Sequence, residues 1–457
     1  MEAQMHRLRS PLPSRVFQRG SYAIQVAVYI SVFKCIGRIF KGYMRLLTIW
    51  RRVLFLIHEA SFSPTSNSQF YMKCEIAMRH LFYSTLLILS LVACSTPLPP
   101  PTPSPLPAVV QPTPGLRVLP VPLYVLDRGQ IARIESDGAT RRQLTRERIE
   151  QTGIPPISDM DVHPTAGLIY VVSAATGDRL VRTALDGSNP QVIYSETGHQ
   201  LSTVRWSPDG SAIYLRFQNN REPRDLPDGL YRLPATGGAL ELLLADDPVD
   251  NPLNPSRSVR SYAPFLWDPT GTTLLVESFA TFYDDCELVF WHPQDKTLRR
   301  PVTPEGTHSF CGEAVWRSDG SAALLLIGPD TGPGVWQVDA QTGQATALSN
   351  DGILARTPFL IGNDLLFVAV ERVNDGFSFT LTRQSPDGTR TPLRPPFREI
   401  PLLIRWAPDG SGIVAVVQTN SGTALRWYPI GNQPAVALPQ TDEGVSWLVW
   451  SVIPERG

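Results

Sequence analysis

Beyond residue 120 the side chains that could do chemistry are few and dispersed. Four histidines, His163, His199, His292 and His308, have no partner spacing that would build a zinc site. His163 and His292 each precede a proline, and all four read as surface turn residues. No G-x-S-x-G marks a serine nucleophile, and no hydrolase domain follows the last repeat. Asp209 and Asp409 sit in "SPDG" and "APDG", where a short carboxylate beside glycine caps its own turn. "ADDPVDNPLN", residues 245–254, has carboxylates enough for calcium but lacks the fixed ligand spacing, and reads as a solvated acidic loop. These residues point to no catalytic group, metal or cofactor. The chain is expected not to be an enzyme.

The elements that must carry these residues repeat. "VRWSPDGSAIYLRF" (204–217) returns as "FLWDPTGTTLLVES", "AVWRSDGSAALLLI" and "IRWAPDGSGIVAVV". Each is a strand, a tight turn in which Pro presets φ and Gly takes the left-handed position, and a second strand. In "SAIYLRF" the residues Ile213, Leu215 and Phe217 point one way, and Tyr214 and Arg216 the other. Counting from Trp206, equivalent positions are Trp267, Trp316, Trp406 and Trp450, with Val162 and Leu360 as degenerate copies. The steps are 44, 61, 49, 44, 46 and 44 residues. Four strands per unit at that period predict an all-β chain, a β-propeller whose blades stack to bury both faces. The five Trp are expected between neighbouring blades. "LYVLDRGQIARIESDGATRRQLT" supplies three strands without a first one, and "VSWLVWSVI" is a first strand with nothing after it. Pairing them closes one blade from both chain ends and removes exposed sheet edges. The expected count is seven four-stranded blades, or six if the Leu360 unit merges with a neighbour.

At the "WSPDG", "WDPTG", "WRSDG" and "WAPDG" turns the chain resembles TolB-like and WD-type repeat propellers of bacterial exported proteins, over residues 122–457. The resemblance implies the fold and names no ligand. TolB-type propellers usually have six blades and a preceding α/β domain. Here a Pro-rich stretch, with 9 Pro between Pro97 and Pro114, stands in that place.

The upstream sequence gives an address. "MRHLFYSTLLILSLVAC" joins a short basic start at Met78 to an uncharged apolar run of 13 residues, Leu81 to Ala93, and ends at Cys94. That run has the length of a signal-peptide core and is short for a bilayer span. "LVAC" resembles the bacterial lipoprotein signal, which implies cleavage after residue 93, acylation of Cys94 and attachment to a membrane through the lipid. The alternative is an uncleaved anchor with an incidental Cys. Residues 94–121 then form a Pro-rich tether, its 18 most Pro-rich residues reaching roughly 56 Å in polyproline II form. Residues 1–77 precede the signal awkwardly and read as a start assigned too early, or else as an extra amphipathic membrane segment. The expected location is the bacterial cell envelope, outside the cytoplasmic membrane. Of five Cys, only Cys286 and Cys311 then remain in the exported body. They are expected to pair as a disulfide, the alternative being two free buried thiols.

Residues 1–93 carry 12 Lys/Arg against 3 Asp/Glu, which leaves 29 against 39 in the rest, a net of −10. So acidic a body repels phosphate backbones, and nucleic acid is not an expected partner.

Long connections gather on one side. "QNNREPRDLPD" (218–228), 245–264, "FATFYDDC" (279–286) and "TPEGTHSFC" (303–311) all fall on the face built by second-to-third and fourth-to-first strand loops of adjacent blades. Arg221, Arg224, Tyr262, Phe282, Tyr283, Asp284, Asp285 and His308 mix aromatic and charged types as recognition surfaces do. A protein, peptide or glycan is the expected ligand, bound by a non-catalytic scaffold. The alternative is a propeller enzyme of lyase, lactonase or glycosidase type with its site at the channel mouth.

Overall fold

The structure, a computed structural model, describes residues 109–451 apart from 149–153, 249–258, 281–285, 330–331, 350–351, 375, 421 and 441–443. Cys94, Phe282, Tyr283, Asp284, Asp285 and the segments 1–77 and 78–93 lie outside the described residues. Within them there are seven small antiparallel sheets and no helix. In chain order, blades 1 to 6 span 157–195, 199–245, 259–299, 308–349, 354–392 and 401–437. Blade 7 is the composite. Its inner strand is Val445–Trp450, which pairs with Leu123–Asp127 in the register Leu123↔Trp450, and Gln130–Ile134 and Arg141–Gln143 follow. The seven-bladed ring closed by both chain ends is therefore what the repeat predicted.

The core is divided among the seams. Seven separate apolar clusters each draw on two adjacent blades, so every seam, including those on either side of blade 7, has its own core. Strand alternation serves two seams at once. Ile213, Leu215 and Phe217 pack against Ile169 and Val171 of blade 1. Tyr214, between them, packs against Val276 and Trp291 of blade 3. Second strands are thus buried on both sides, and Ala322–Gly328 is buried at every position.

Each repeat Trp meets a ring of the preceding blade. The centroid distances are 6.0 Å for Trp206 and His163, 4.8 Å for Trp267 and Tyr214, and 5.6 Å for Trp316 and Phe290. They are 6.1 Å for Trp406 and Phe359, and 6.0 Å for Trp450 and Trp427. Two indoles also reach back by hydrogen bond, Trp316 to the Leu266 carbonyl (3.2 Å) and Trp406 to that of Thr357 (2.8 Å).

The tight turns are self-capped. Asp209 accepts from Ser207 Oγ (2.6 Å) and Ser211 N (3.0 Å), and these bonds hold its carboxyl down to about 2. Gly210 follows at φ 68°, where a side chain would be strained. In "WDPTG" the roles move: Thr270 replaces the turn Asp, and the buried Asp268 accepts from the N–H groups of Thr272 (2.8 Å) and Thr273 (2.9 Å).

Two blades carry a fifth strand. Asp247–Pro248 lies along the start of the inner strand of blade 3, and Val109–Val110 runs parallel to Ala435–Ala437 on the outer edge of blade 6. Leu119 is fully buried in the seam between blades 6 and 7. Val109–Val110 and Leu119, in the stretch expected to be a tether, are therefore joined to the propeller.

Candidate functional site

The mouth face of blade 2 is built around Asp225 in the 220–228 loop. Asn219 Nδ2 donates to its Oδ1 at 2.6 Å, Arg221 Nη1 to its Oδ2 at 2.7 Å, and His199 Nε2 lies 3.4 Å away. The Asn219 amide first, then His199 and Arg221, hold the Asp225 carboxyl down to about 2. Arg221 also reaches the connection between blades 1 and 2, donating to Glu196 (2.9 Å) and to the Thr197 carbonyl. His199 is completed by Tyr194, its Nδ1 2.6 Å from the hydroxyl, and by an edge contact with Phe217. Arg224 stands outside this network, 3.4 Å from Asp228 and with a side chain 55% exposed. Beside it a shallow open depression of about 450 Å³ is lined by Arg224–Asp228, Asp246 and Val259.

The expected site residues are only partly brought together. Arg221 and Arg224 do belong to one loop on the mouth face. Tyr262 does not reach that surface. The inner strand of blade 3 begins at Val259, so Tyr262 is already inside the seam, 3% exposed, its hydroxyl donating to Asp247 at 2.6 Å. His308 likewise opens the inner strand His308–Trp316 of blade 4 and lies over Phe310, with centroids 4.5 Å apart. The acidic loop is not simply solvated either, since Asp246 pairs with Arg216.

Two histidines were misread as surface turns. His199 is 2% exposed, and His292, 7% exposed, links Thr273 Oγ1 (3.3 Å) to the Ala340 carbonyl of the next blade (3.1 Å). His163 does serve a turn, accepting at Nδ1 from Ala166 N at 3.0 Å. Cys286 opens the third strand of blade 3, and Cys311 lies within the inner strand of blade 4. Their Cα atoms are 5.6 Å apart and their sulfurs at bonding distance. The link thus crosses a seam between strands rather than joining two loops.

The alternative reading put an enzyme site at the channel mouth, but sequence reasoning named none of the residues there. Large polar or aromatic side chains stand on the inner strands of six blades, Asp159 and Asp161, Arg205, Glu313, Arg356, Arg405 and Trp447, with Glu277 on the second strand of blade 3. Arg205 donates to Asp159 (3.2 Å), and Arg356 to Glu313 (2.8 Å). Both carboxylates also accept from inner-strand N–H groups of the next blade, Asp159 from Val204 and Glu313 from Thr357. Arg205 and Arg405, from blades 2 and 6, both lie against the Trp447 indole of blade 7, at 5.0 and 5.1 Å. Burial raises the Asp161 carboxyl above its ordinary value, against the pull of Arg205 and the Trp206 N–H. Burial also draws Arg405 down to about 10, with Arg205 and Arg356 adding to the fall and Glu313 opposing it. A signal was present in "VRW" and "IRW", where an Arg directly precedes the repeat Trp on a strand whose other face is apolar. Among the described residues no group of three or more His, Cys, Asp or Glu is placed to hold a metal.

No protein-family model and no curated protein matches the sequence. Solved structures do. A puromycin-hydrolyzing peptidase of Mycobacterium tuberculosis is 14% identical over 74% of this chain and 55% of its own, with a TM-score of 0.52. A prolyl endopeptidase is 10% identical over 73% of this chain and 51% of its own, with a TM-score of 0.50. TolB from Acinetobacter baumannii is 15% identical over 70% of this chain and 78% of its own, with a TM-score of 0.40. The likeness is one of fold. This chain spans about half the length of the two peptidases. The expectation that the chain is not an enzyme is overturned here. The fold is shared with peptidases, so the lack of familiar motifs is no ground for excluding catalysis.

Proposed function

We propose that this is an extracytoplasmic, lipid-anchored propeller that engages a protein, peptide or glycan on its mouth face over blades 2 and 3. The observation that carries it is the 220–228 loop. Its Asp225 is held by Asn219, Arg221 and His199, and Arg221 ties it to the connection between blades 1 and 2, so the surface beside the depression is preorganised. Preorganised surfaces lose less entropy on binding, and the exposed Arg224 at the rim is of a type favoured in recognition. The resemblance of "LVAC" to a lipoprotein signal at Cys94 and the Pro-rich stretch that follows it support display outside the cytoplasmic membrane. The test is crosslinking and capture of partners from the native envelope, comparing the intact detergent-solubilised protein with variants shortened in 218–228 or 245–264. Unchanged capture removes the mouth loops from the site. Mass spectrometry of the N-terminus reads the anchor, and an unlipidated chain that retains residues 1–93 ends that part of the reading.

A second reading is a propeller enzyme of lyase, lactonase or glycosidase type working in the channel. What supports it is the charge coupling of Arg205 to Asp159, Asp161 and Glu277 and of Arg405 to Glu313 and Glu277, with burial raising the Asp161 carboxyl. Turnover of a glycan or lactone substrate that survives Asp161→Asn unchanged would remove Asp161 from it.

A further inference from the structure

We propose that the channel is a carboxylate-binding site, in which the Arg405 guanidinium takes the carboxylate of a ligand seated against Trp447. The channel holds three guanidinia, and they are not equivalent. Arg205 is committed to Asp159 at 3.2 Å and to the carbonyls of Phe265 (3.1 Å) and Val204 (2.6 Å). Arg356 is committed to Glu313 through Nε (3.2 Å) and Nη2 (2.8 Å), and to the Pro401 carbonyl at 3.0 Å. Arg405 makes one hydrogen bond among the described residues, from Nη1 to the Ile404 carbonyl at 3.0 Å, and its remaining contact is the Trp447 indole. No carboxylate among the described residues stands within ion-pair distance of it.

A planar fork with most of its donors unused, flat against an aromatic ring, matches a planar oxyanion. The neighbouring charges set its size. Asp159, Asp161 and Glu277 act on Arg205, and Glu313 and Glu277 act on Arg405, so a dianion such as phosphate meets more repulsion than a singly charged carboxylate does. Arg205 and Arg405 directly precede the last residues of their inner strands, His199–Trp206 and Pro401–Trp406, and Trp447 is the third residue of Val445–Trp450, so the site is built from inner strands and not from the mouth loops. The proposal does not rest on the mouth-face reading. Partner capture by shortened loops measures one, and small-ligand titration measures the other.

The experiment is calorimetric titration of the full chain in detergent with two matched pairs: an acetylated tripeptide with a free or an amidated C-terminus, and glucuronate or glucose. At least one carboxylate is expected to bind ten times more tightly than its neutral partner, and the pair that does so identifies the source. Arg405→Gln is expected to abolish the difference, while Arg299→Gln on the outer strand of blade 3 leaves it intact. Equal binding of both members in both pairs, or full carboxylate preference in Arg405→Gln, overturns the proposal. Should Arg405→Gln fail to fold, Arg405→Lys keeps the charge and loses the fork. A tenfold loss there supports the site, and unchanged affinity overturns it.

Discussion

Arg216 and Asp246 form a two-pronged ion pair, Nη1 to Oδ1 at 2.7 Å and Nη2 to Oδ2 at 2.6 Å, where blades 2 and 3 meet. Both side chains are almost wholly buried, and Ser261 of blade 3 bonds to each, at 3.1 Å to Arg216 and 3.0 Å to Asp246. Removing one member of such a pair strands a charge in the interior, which typically costs about 3–5 kcal/mol. Asp246→Ala is therefore expected to lower unfolding stability by that amount, and Arg216→Met with Asp246→Leu by much less. Chemical denaturation checks both. A single variant as stable as the parent would mean that the pair is not desolvated.

The repeat Trp residues should act as seam fillers. Trp316→Ala empties the space against Phe290 and loses the bond to Leu266, and is expected to cost about 3–5 kcal/mol. Trp316→Phe keeps the ring contact, so its loss should be less than half as large. Thermal unfolding of the two variants decides this, and equal losses would assign the effect to the hydrogen bond rather than to packing.

Stability should respond to pH through Asp178. Its carboxylate accepts from Leu201 N at 2.8 Å, but burial dominates and raises it to about 6 from an ordinary value near 3.8. The protonated form is favoured in the folded state, so its contribution is complete below pH 4 and is lost as pH rises through 6. A rise of that size is worth about 3 kcal/mol, since each tenfold gain in proton affinity contributes roughly 1.4 kcal/mol. Asp178→Asn should flatten that part of the stability curve measured between pH 4 and 7. A parallel curve would show that Asp178 is ionised throughout.

The Cys286–Cys311 link, if oxidised in the native protein, closes a loop of 25 residues in sequence and should add about 3 kcal/mol through the unfolded chain. Peptide mapping without reductant should recover the two cysteines as one crosslinked peptide. Ready alkylation of both thiols in the folded protein would show that the link is absent.

The ring was legible because its signal is local and repeated. A strand ending in Trp, a Pro-Asp-Gly turn and a second strand recur often enough to count, and the incomplete units at the two ends fit each other. Sidedness at the loops was harder. Tyr262 and His308 were placed outside because the loops were read as running to Pro264 and Cys311, whereas the inner strands begin at Val259 and His308. His292 precedes a proline, which suggests a turn, yet it ends a strand with its ring turned into the seam. The residues of the channel were hidden for a different reason. They come one or two at a time from separate stretches of chain, and only closure of the ring makes them neighbours.

The short pairing of Val109–Val110 with Ala435–Ala437 settles which way the N-terminal leash is tied. The partner strand runs from the side of the Pro-Asp-Gly turns toward the mouth, and the two are parallel, so the chain enters this hitch from behind. A pull applied at Val109 is therefore taken up along the outer edge of one blade and directed to the back of the ring.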